Sequence, residues 1–424
     1  MPELSPDSAR ARQPGADLAE LLRGALQGEH TVVLPRDRSG DVRLAPPQAY
    51  EAAGTDREAP ALVVFTSGST GRPKGVALSA AALTASARAT ERHLSGPGRW
   101  HLALPTNHIA GAQVVLRSLL AGTAPLQSVG RFTAASFTAD VARLQETTDS
   151  GVPLYGSLVP TQLVRVMADS DAMRAAAALD AILLGGAAIS PALLRSAAAV
   201  GLRIVRTYGM SETCGGCVYD GHPFDEVELD ITADGLVRLT GAVVADGYVE
   251  VTDTGSGPVL RALPDAGTGF GTGPAGRRSF LTSDLGRISE GVLEILGRAD
   301  DVIITGGENV SPLAVEAVLL RVLEASGAAE VLVTSVPDPE WGERIVALVR
   351  PAGGELAALA AAEPDPVELA RWVRVRTGTA LPRYEQPAAV LPLTELPMRS
   401  IGKPDRTAAR RLAADRLGAG LRRL

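Results

Sequence analysis

Short apolar runs alternate with longer Ala- and Leu-rich stretches between residues 59 and 212. Each run has the length of a buried strand and ends in a loop, and the stretches between them have the composition of helices. Alternating strands and helices predict a wound α/β domain, whose ligands gather at the loops beyond the strand ends. The runs are APALVVFTSGS (59–69), WHLALPTNH (100–108), VPLYGSLVP (152–160), AILLGGAAIS (181–190) and RIVRTYGMSE (203–212).

After residue 220 the pattern changes to short alternating strands, as in LVRLTGAVVADGYVEV, which predicts a small β-rich subdomain. Beyond LGRADD a new unit begins with the strand DVIIT, a turn at GGEN and a helix that Ser311 caps. We therefore expect a large wound α/β N-terminal domain with this subdomain over residues 1–298. A small mobile α+β C-terminal domain is expected over residues 299–424.

Composition places the chain among ordinary globular proteins, since 46% of its 424 residues are hydrophobic and 21% are charged. The net charge of −7 argues against a nucleic-acid surface, which needs a clustered basic excess. The N-terminus has no apolar signal region and no run is long enough to insert into a membrane. With only two cysteines, these features predict a cytoplasmic protein.

Lysine is rare in this chain: of 41 Lys and Arg residues only Lys74 and Lys403 are lysines. Lys74 lies in the loop FTSGSTGRPKGV, which is not a Walker A motif because Pro73 stands where that motif requires glycine. The loop nevertheless offers free backbone N–H groups, hydroxyls and one positive charge, as a triphosphate-binding loop requires. A flexible linker is the alternative, but the loop directly follows a buried strand.

Six segments of the chain resemble the adenylate-forming superfamily of acyl-CoA synthetases, adenylation domains and luciferases. The resemblance spans residues 60–410, and two positions depart from the superfamily pattern: Ser211 replaces threonine and Ser283 replaces glycine. The segments are SGSTGRPKG (67–75), YGMSET (208–213), TSDLG (282–286), GRADDVIITGGENVSP (297–312), VPDPEWGE (336–343) and MRSIGKPDR (398–406).

The resemblance implies a site that binds ATP and Mg²⁺. Asp284 and Arg298 would hold the ribose, and the carboxylate of Glu212 would hold Mg²⁺. The adenine would contact Gly185, Gly186, Ala187 and Tyr208. The remaining nucleotide contacts would be Thr66, Ser67, Gly68, Ser69, Thr70, Gly71, Lys74, Gly209 and Ser211.

The implied reaction has two halves. A substrate carboxylate attacks the α-phosphate of ATP to give an acyl-adenylate and pyrophosphate, and the thiol of coenzyme A then displaces AMP. Lys403 would act in the first half only. For the second half, the small domain would rotate about a hinge at Asp300 and bring Gly306 and Gly307 to the active site.

Within the superfamily, residues 105–122, 157–163 and 208–221 look most like the o-succinylbenzoate:CoA ligases of menaquinone biosynthesis, in the shortened actinobacterial form that lacks much of the N-terminal region. His108 would line the acyl channel and is also counted with Lys74, Glu212 and Lys403 as a catalytic candidate. The other acyl contacts would be Gly111, Arg117, Ser157 and Gly209.

Several alternatives stay open. Arg117 either faces a second substrate carboxylate or is a solvated helix residue. The spacing of Cys214 and Cys217 suits a metal or redox pair, but no further ligand pair exists in the sequence, so packing is the competing interpretation. Another aryl- or acyl-CoA synthetase, such as a benzoate:CoA ligase, a stand-alone adenylation domain and a non-catalytic nucleotide-binding protein are the competing functions. A homodimer is one possible oligomeric state.

Overall fold

The computed structural model describes residues 14–37, 40–52, 58–66, 74–254, 257–398 and 404–418. Six predicted site residues therefore lie outside the described residues: Ser67, Gly68, Ser69, Thr70, Gly71 and Lys403. The contacts divide the chain into two compact units. The first comprises Met1–Ile189, Leu193–Asp230 and Arg238–Thr282, and the second comprises Ser190–Ala192, Ile231–Val237 and Ser283–Leu424.

Helices and strands alternate through the first half of the chain, as the hydrophobic pattern predicts. The helices up to residue 199 are α1 (Pro14–Leu26), α2 (Ala80–His93), α3 (Ile109–Leu120), α4 (Ala134–Glu146), α5 (Pro160–Met167), α6 (Ser170–Ala177) and α7 (Pro191–Ala199). The strands up to residue 223 are β1 (Thr31–Val33), β2 (Arg43–Ala45), β3 (Tyr50–Glu51), β4 (Leu62–Thr66), β5 (Lys74–Leu78), β6 (Arg99–Leu102), β7 (Leu126–Gln127), β8 (Leu154–Leu158), β9 (Ala181–Leu184), β10 (Ile204–Met210), β11 (Gly215–Tyr219) and β12 (His222–Pro223).

Strands dominate the next segment. They are β13 (Val227–Ile231), β14 (Leu236–Gly241), β15 (Gly247–Thr254), β16 (Gly257–Ala262), β17 (Phe270–Thr272), β18 (Arg278–Ser289) and β19 (Val292–Arg298). The predicted β-rich segment is therefore present. Two of its strands, β15 and β16, complete a sheet of the first unit in the order β2-β1-β4-β5-β15-β16-β3.

A second sheet of the first unit has the order β12-β11-β10-β9-β8-β6-β7, in which the strands from β10 to β7 run parallel. All five residues of β8 and all four of β9 are buried, as expected for parallel strands covered on both faces. Because β6, β8, β9 and β10 are neighbours and parallel, their carboxyl ends form one edge of this sheet. The predicted wound α/β class is confirmed.

The second unit is a smaller α+β fold. Its strands are β20 (Ile303–Thr305), β21 (Glu308–Val310), β22 (Ala328–Asp338), β23 (Gly342–Pro351) and β24 (Ala389–Pro392), and its helices are α8 (Pro312–Leu323), α9 (Gly354–Ala361), α10 (Pro366–Thr377) and α11 (Arg406–Leu417). Alternate residues of β23 pack into two cores: Ala347 and Val349 face one, while Val346 and Leu348 face the other, which α11 covers.

The first helix of this unit begins where the sequence predicts. The side chain of Ser311 accepts a hydrogen bond from the Ala314 N–H, and Pro312 is the first helical residue of α8. Ser79 caps α2 in the same way through the Ala82 N–H. The predicted domain boundary between residues 298 and 299 stays a prediction, since the contact-defined second unit also contains residues 283–298.

A buried ion-pair network holds the start of α11. The Arg406 guanidinium donates to the Glu316 carboxylate at 2.8 Å, to the Asp301 carboxylate at 3.0 Å and to the Val333 carbonyl at 2.8 Å. Glu316 is 9% exposed and also accepts from the Val333 N–H. Burial raises the pKa of Glu316, and the nearby Arg406 charge opposes that rise. The positive charge of Arg406 therefore stabilises the ionised form of Glu316, which burial alone would disfavour.

None of the helices in the described ranges combines the length and the apolar character that crossing a membrane requires.

Candidate active site

The hairpin of β4 and β5 fixes both ends of the predicted phosphate loop. Thr66, the last residue of β4, is the antiparallel partner of Lys74, the first residue of β5. Both side chains are half-buried. This pairing places the Thr66 hydroxyl and the Lys74 ammonium at the same edge of the first sheet, on either side of the undescribed residues 67–73.

Glu212 lies in a 3-10 turn, Ser211–Thr213, that directly follows β10. Its carboxylate is buried, with 8% of the residue exposed, and its Oε1 accepts a hydrogen bond of 2.7 Å from the Tyr248 hydroxyl. The Glu212 carbonyl also accepts from the Ala245 N–H at 2.9 Å. Both contacts attach the turn to the segment around β15, one through the carboxylate and one through the backbone of Glu212.

Tyr248 connects Glu212 with Lys74. The Lys74 Nζ lies 5.3 Å from the centre of the Tyr248 ring, within the range of a cation–π contact. Burial raises the pKa of Tyr248, and the charge and the hydrogen bond of Glu212 raise it further. The phenol therefore remains a hydrogen-bond donor at any physiological pH. The sequence reasoning missed this residue.

A carboxylate, an ammonium and a neutral donor in one cluster fit an Mg²⁺·triphosphate ligand. Mg²⁺ commonly binds through one or two carboxylates together with substrate phosphates, so a single buried Glu212 suffices. In the described ranges, no group of three or more His, Cys, Asp or Glu side chains is arranged to hold a metal ion. Glu212 thus fits a site that the nucleotide completes.

Tight backbone approaches surround the predicted adenine contacts at the ends of β9 and β10. A Cβ atom at Gly185 would lie 2.2 Å from the Thr207 Oγ1, and one at Gly209 would lie 2.0 Å from the Gly215 carbonyl oxygen. Gly186 has a φ of +85°, which favours glycine. Ala187 and Ser211 are half-buried. Tyr208 is half-buried and lies opposite Val218 of β11, next to a β-bulge at Gly209.

The predicted acyl contacts His108, Gly111 and Ser157 lie at the carboxyl ends of two neighbouring parallel strands. Ser157 is 8% exposed and pairs with Leu102, the last residue of β6. His108 is the residue before the first turn of α3 and is half-buried. A Cβ atom at Gly111 would lie 2.2 Å from the Pro105 carbonyl oxygen, so the helix and the β6 loop touch there. With Gly209, these residues occupy the same edge of the second sheet.

Arg117 is buried in the interior of the first unit. Only 4% of the residue is exposed, so the solvated alternative is wrong. Its guanidinium lies 5.3 Å from the centre of the Trp100 ring and 3.5 Å from the Tyr219 hydroxyl. Trp100 lies two residues before the end of β6. Arg117 lies more than two turns into α3, on the side of this helix opposite to His108. The contact with a substrate carboxylate stays a prediction that this placement does not favour.

Cys214 and Cys217 are both free and fully buried. Burial raises the pKa of Cys214 well above its ordinary value, and it raises the pKa of Cys217 to about 12. Cys214 has a φ of 54°, and its carbonyl accepts hydrogen bonds from the Ser86 hydroxyl and the Gln113 amide. These contacts favour the packing interpretation of the pair.

Because the thiolate is the reactive form, we expect neither cysteine of the native protein to react with a thiol reagent at pH 8. Titration with Ellman's reagent should detect no thiol before denaturation and two after unfolding in guanidinium chloride. Rapid reaction of either thiol in the folded protein would contradict the burial of this pair.

In the second unit, Asp284 and Arg298 are direct partners across β18 and β19. Arg298 donates to the Asp284 carboxylate at 3.1 Å and to Asp300 at 2.8 Å. Asp284 is 8% exposed. One arginine therefore links the predicted ribose carboxylate with the predicted hinge residue within this unit.

Gly306 and Gly307 form the turn between β20 and β21, and both have positive φ values of 59° and 85°. A Cβ atom at Gly306 would lie 2.8 Å from the Trp341 ring, while nothing lies within 4 Å of one at Gly307. The predicted thioester-forming face thus consists of a tight glycine turn beside an aromatic ring.

Comparisons with known proteins identify the family of this chain. Residues 11–265 match the AMP-binding enzyme family and residues 314–403 match the AMP-binding enzyme C-terminal domain. The chain belongs to the AMP-binding enzymes, and the predicted membership of the adenylate-forming superfamily is confirmed.

Among its relatives is the probable 2-succinylbenzoate–CoA ligase of Mycobacterium tuberculosis, which is 40% identical over 362 residues, covering 84% of this chain and 85% of the relative. The 2-succinylbenzoate–CoA ligase of Geobacillus kaustophilus is 30% identical over 416 residues, or 96% of this chain and 79% of the relative. A solved structure of the o-succinylbenzoate coenzyme A synthetase from Bacillus subtilis, in complex with ATP and magnesium ion, has a TM-score of 0.64 and 26% identity, covering 82% of this chain and 69% of that one.

Proposed function

We propose that this protein is an AMP-forming o-succinylbenzoate:CoA ligase. It adenylates the carboxylate of o-succinylbenzoate with ATP and transfers the acyl group to coenzyme A, giving o-succinylbenzoyl-CoA, AMP and pyrophosphate. This reaction is a step of menaquinone biosynthesis. The observation that carries the proposal is the cluster of Lys74, Tyr248 and Glu212, together with the 40% identity to a probable 2-succinylbenzoate–CoA ligase over most of both chains.

In the first half-reaction, negative charge builds on the phosphate oxygens as the carboxylate attacks. Glu212 would hold Mg²⁺, and the ion would supply positive charge near these oxygens when bound. Lys74 would hold the triphosphate together with the hydroxyls and N–H groups of residues 66–71, and Lys403 would supply a second ammonium. These two ammonium groups would stabilise the negative charge of the reacting phosphates.

Different residues would hold the adenine and the ribose of ATP. We assign the adenine to Gly185, Gly186, Ala187 and Tyr208, because a glycine turn lets the flat ring approach the backbone. The ribose hydroxyls donate to the Asp284 carboxylate, and Arg298 holds that carboxylate in place.

In the second half-reaction, the thiol of coenzyme A attacks the acyl carbon and AMP leaves. We propose that residues 299–424 rotate about Asp300, which withdraws Lys403 and brings Gly306 and Gly307 to the acyl-adenylate. The glycine turn suits the second half-reaction because it leaves room for the narrow thiol-bearing arm of coenzyme A.

The aromatic acid would lie along the edge formed by the ends of β6, β8 and β10. His108, Gly111, Ser157 and Gly209 line this edge, and at Gly111 the helix packs closely on the loop after β6. His108 would contact the carboxylate that reacts. Arg117 is not assigned to the acid, since Trp100 and Tyr219 hold it away from this edge.

Small molecules are the proposed partners of the site: o-succinylbenzoate, ATP and coenzyme A. A cytoplasmic location is also part of the proposal, and two buried free cysteines agree with a reducing compartment. The oligomeric state is left to measurement.

One experiment tests the proposed function. Pyrophosphate release is measured with a panel of o-succinylbenzoate, benzoate, sulfoacetate and a fatty acid, first without and then with coenzyme A. We expect release with o-succinylbenzoate and turnover to the thioester when coenzyme A is added. Turnover of another acid without any turnover of o-succinylbenzoate would instead identify a different acyl-CoA synthetase, and adenylation without thioester formation would identify a stand-alone adenylation domain.

A further inference from the structure

We propose that Tyr248 is a positioning residue that builds the Mg²⁺·ATP site before the nucleotide arrives, by fixing the Glu212 carboxylate with its hydroxyl while its ring contacts the Lys74 ammonium. This inference rests on the proposed function of the site. It is carried by two contacts of one side chain: the hydroxyl donates to Glu212 Oε1 at 2.7 Å, and the ring centre lies 5.3 Å from Lys74 Nζ.

Strand register explains why this tyrosine reaches both groups. Tyr248 of β15 is the antiparallel partner of Val76 in β5, and Lys74 lies two residues before Val76 on the same strand. Residues two apart on a strand point to the same face, so Lys74 is the diagonal neighbour of Tyr248 on that face. The turn of Glu212 is attached to the segment before β15 by the Ala245 N–H, which brings the carboxylate within reach of the phenol.

The tyrosine ring is itself held in place. Phe270 packs against it edge to face, with ring centres 5.1 Å apart, and Phe280 packs against Phe270 at 4.7 Å. An arginine, Arg278, lies over the Phe270 ring and donates to the Ala245 and Asp246 carbonyls close to Tyr248. The ring therefore has little freedom, and the position of its hydroxyl is set by packing.

A phenol suits this role better than a cation. An arginine or lysine paired with Glu212 would neutralise the carboxylate and compete with a metal ion for it. The Tyr248 hydroxyl donates a hydrogen bond to one carboxylate oxygen, so it orients the carboxylate without itself neutralising the charge.

The test removes only the hydroxyl. Tyr248→Phe keeps the ring and its contact with Lys74 and deletes the hydrogen bond to Glu212. Binding of ATP is measured by isothermal titration calorimetry, once with excess Mg²⁺ and once with EDTA. With Mg²⁺ we expect the variant to bind ATP roughly tenfold more weakly or worse, because a hydrogen bond to a buried charge is lost. With EDTA we expect the dissociation constant of ATP to change little.

Tyr155→Phe is the matched control, because it deletes the hydroxyl of a buried tyrosine that donates to the Gly96 carbonyl at 3.0 Å, away from this cluster. It should leave both titrations unchanged. In a Glu212→Gln background, Tyr248→Phe should lose most of its effect, because the two residues act through the same hydrogen bond. Thermal unfolding of each variant checks that the proteins remain folded.

The outcomes separate this inference from the proposed function. Equal weakening with Mg²⁺ and with EDTA, or no weakening in either, overturns the positioning role of Tyr248. Wild-type protein that does not bind ATP overturns both. Normal ATP binding that depends on Tyr248 as expected, without turnover of any acid in the panel, would overturn the proposed function alone.

Discussion

Lys403→Ala is expected to slow adenylation by roughly 100- to 1,000-fold while leaving thioester formation from supplied acyl-adenylate near the wild-type rate. The ammonium would stabilise the charge that develops on the α-phosphate as the carboxylate attacks. In the second half-reaction the proposed rotation about Asp300 withdraws this lysine before the thiol attacks the acyl carbon. Pyrophosphate release with o-succinylbenzoate measures the first half-reaction. Thioester formation from synthetic acyl-adenylate and coenzyme A measures the second.

Arg411→Ala is the matched control for this experiment, since it removes a cation from an exposed position eight residues further along the chain. Both half-reactions should proceed normally in that variant. An equal loss in the two half-reactions of Lys403→Ala would count against the rotation about Asp300, because a lysine that stays in place would affect both.

Arg406→Met is expected to destabilise the second unit by about 3 to 5 kcal/mol, because it leaves the buried Glu316 carboxylate without its charge partner. The contacts at 2.8 Å to Glu316 and 3.0 Å to Asp301 are lost together. Hydrogen exchange of the amides in β22 and β23 measures the loss, since both strands belong to the core of this unit. The double variant Arg406→Met, Glu316→Leu should recover most of the lost stability.

The loss of stability caused by Arg406→Met should depend on pH in a defined direction. Burial raises the pKa of Glu316 above its ordinary value, and removing Arg406 removes the charge that opposes the rise. A carboxyl whose folded pKa lies above its unfolded pKa loses its stabilising contribution as pH rises through the folded value. The variant should therefore be weakest near pH 7 and approach the wild type as pH falls towards 4.5. A deficit that grows on acidification would contradict the buried-charge explanation.

The sequence predicts the elements that depend on local patterns. The capping serines Ser79 and Ser311 lie where the helices begin, because a hydroxyl at that position satisfies an exposed N–H regardless of the rest of the fold. Glu212 also lies in a turn that directly follows a strand, as the run RIVRTYGMSE predicts.

Features that depend on distant contacts are harder to predict. Tyr248 meets Lys74 only through the pairing of β15 with β5, and these strands are separated by almost 170 residues of chain. Arg117 is buried because its helix face packs on Trp100 and Tyr219, which the sequence around it does not reveal. The spacing of Cys214 and Cys217 suggests a metal or redox pair. Whether these thiols can react depends on their burial, which the spacing does not reveal.

Because both of its cysteines are buried, the wild-type chain is expected to react little with thiol-specific dyes. If both thiols resist modification in the folded protein, a cysteine introduced on an exposed helix residue of each unit, such as Glu146→Cys in α4 and Arg321→Cys in α8, would take up dye without removing any native residue of the site. Energy transfer between the two dyes would then report, molecule by molecule, how the small domain is oriented before and after pyrophosphate leaves.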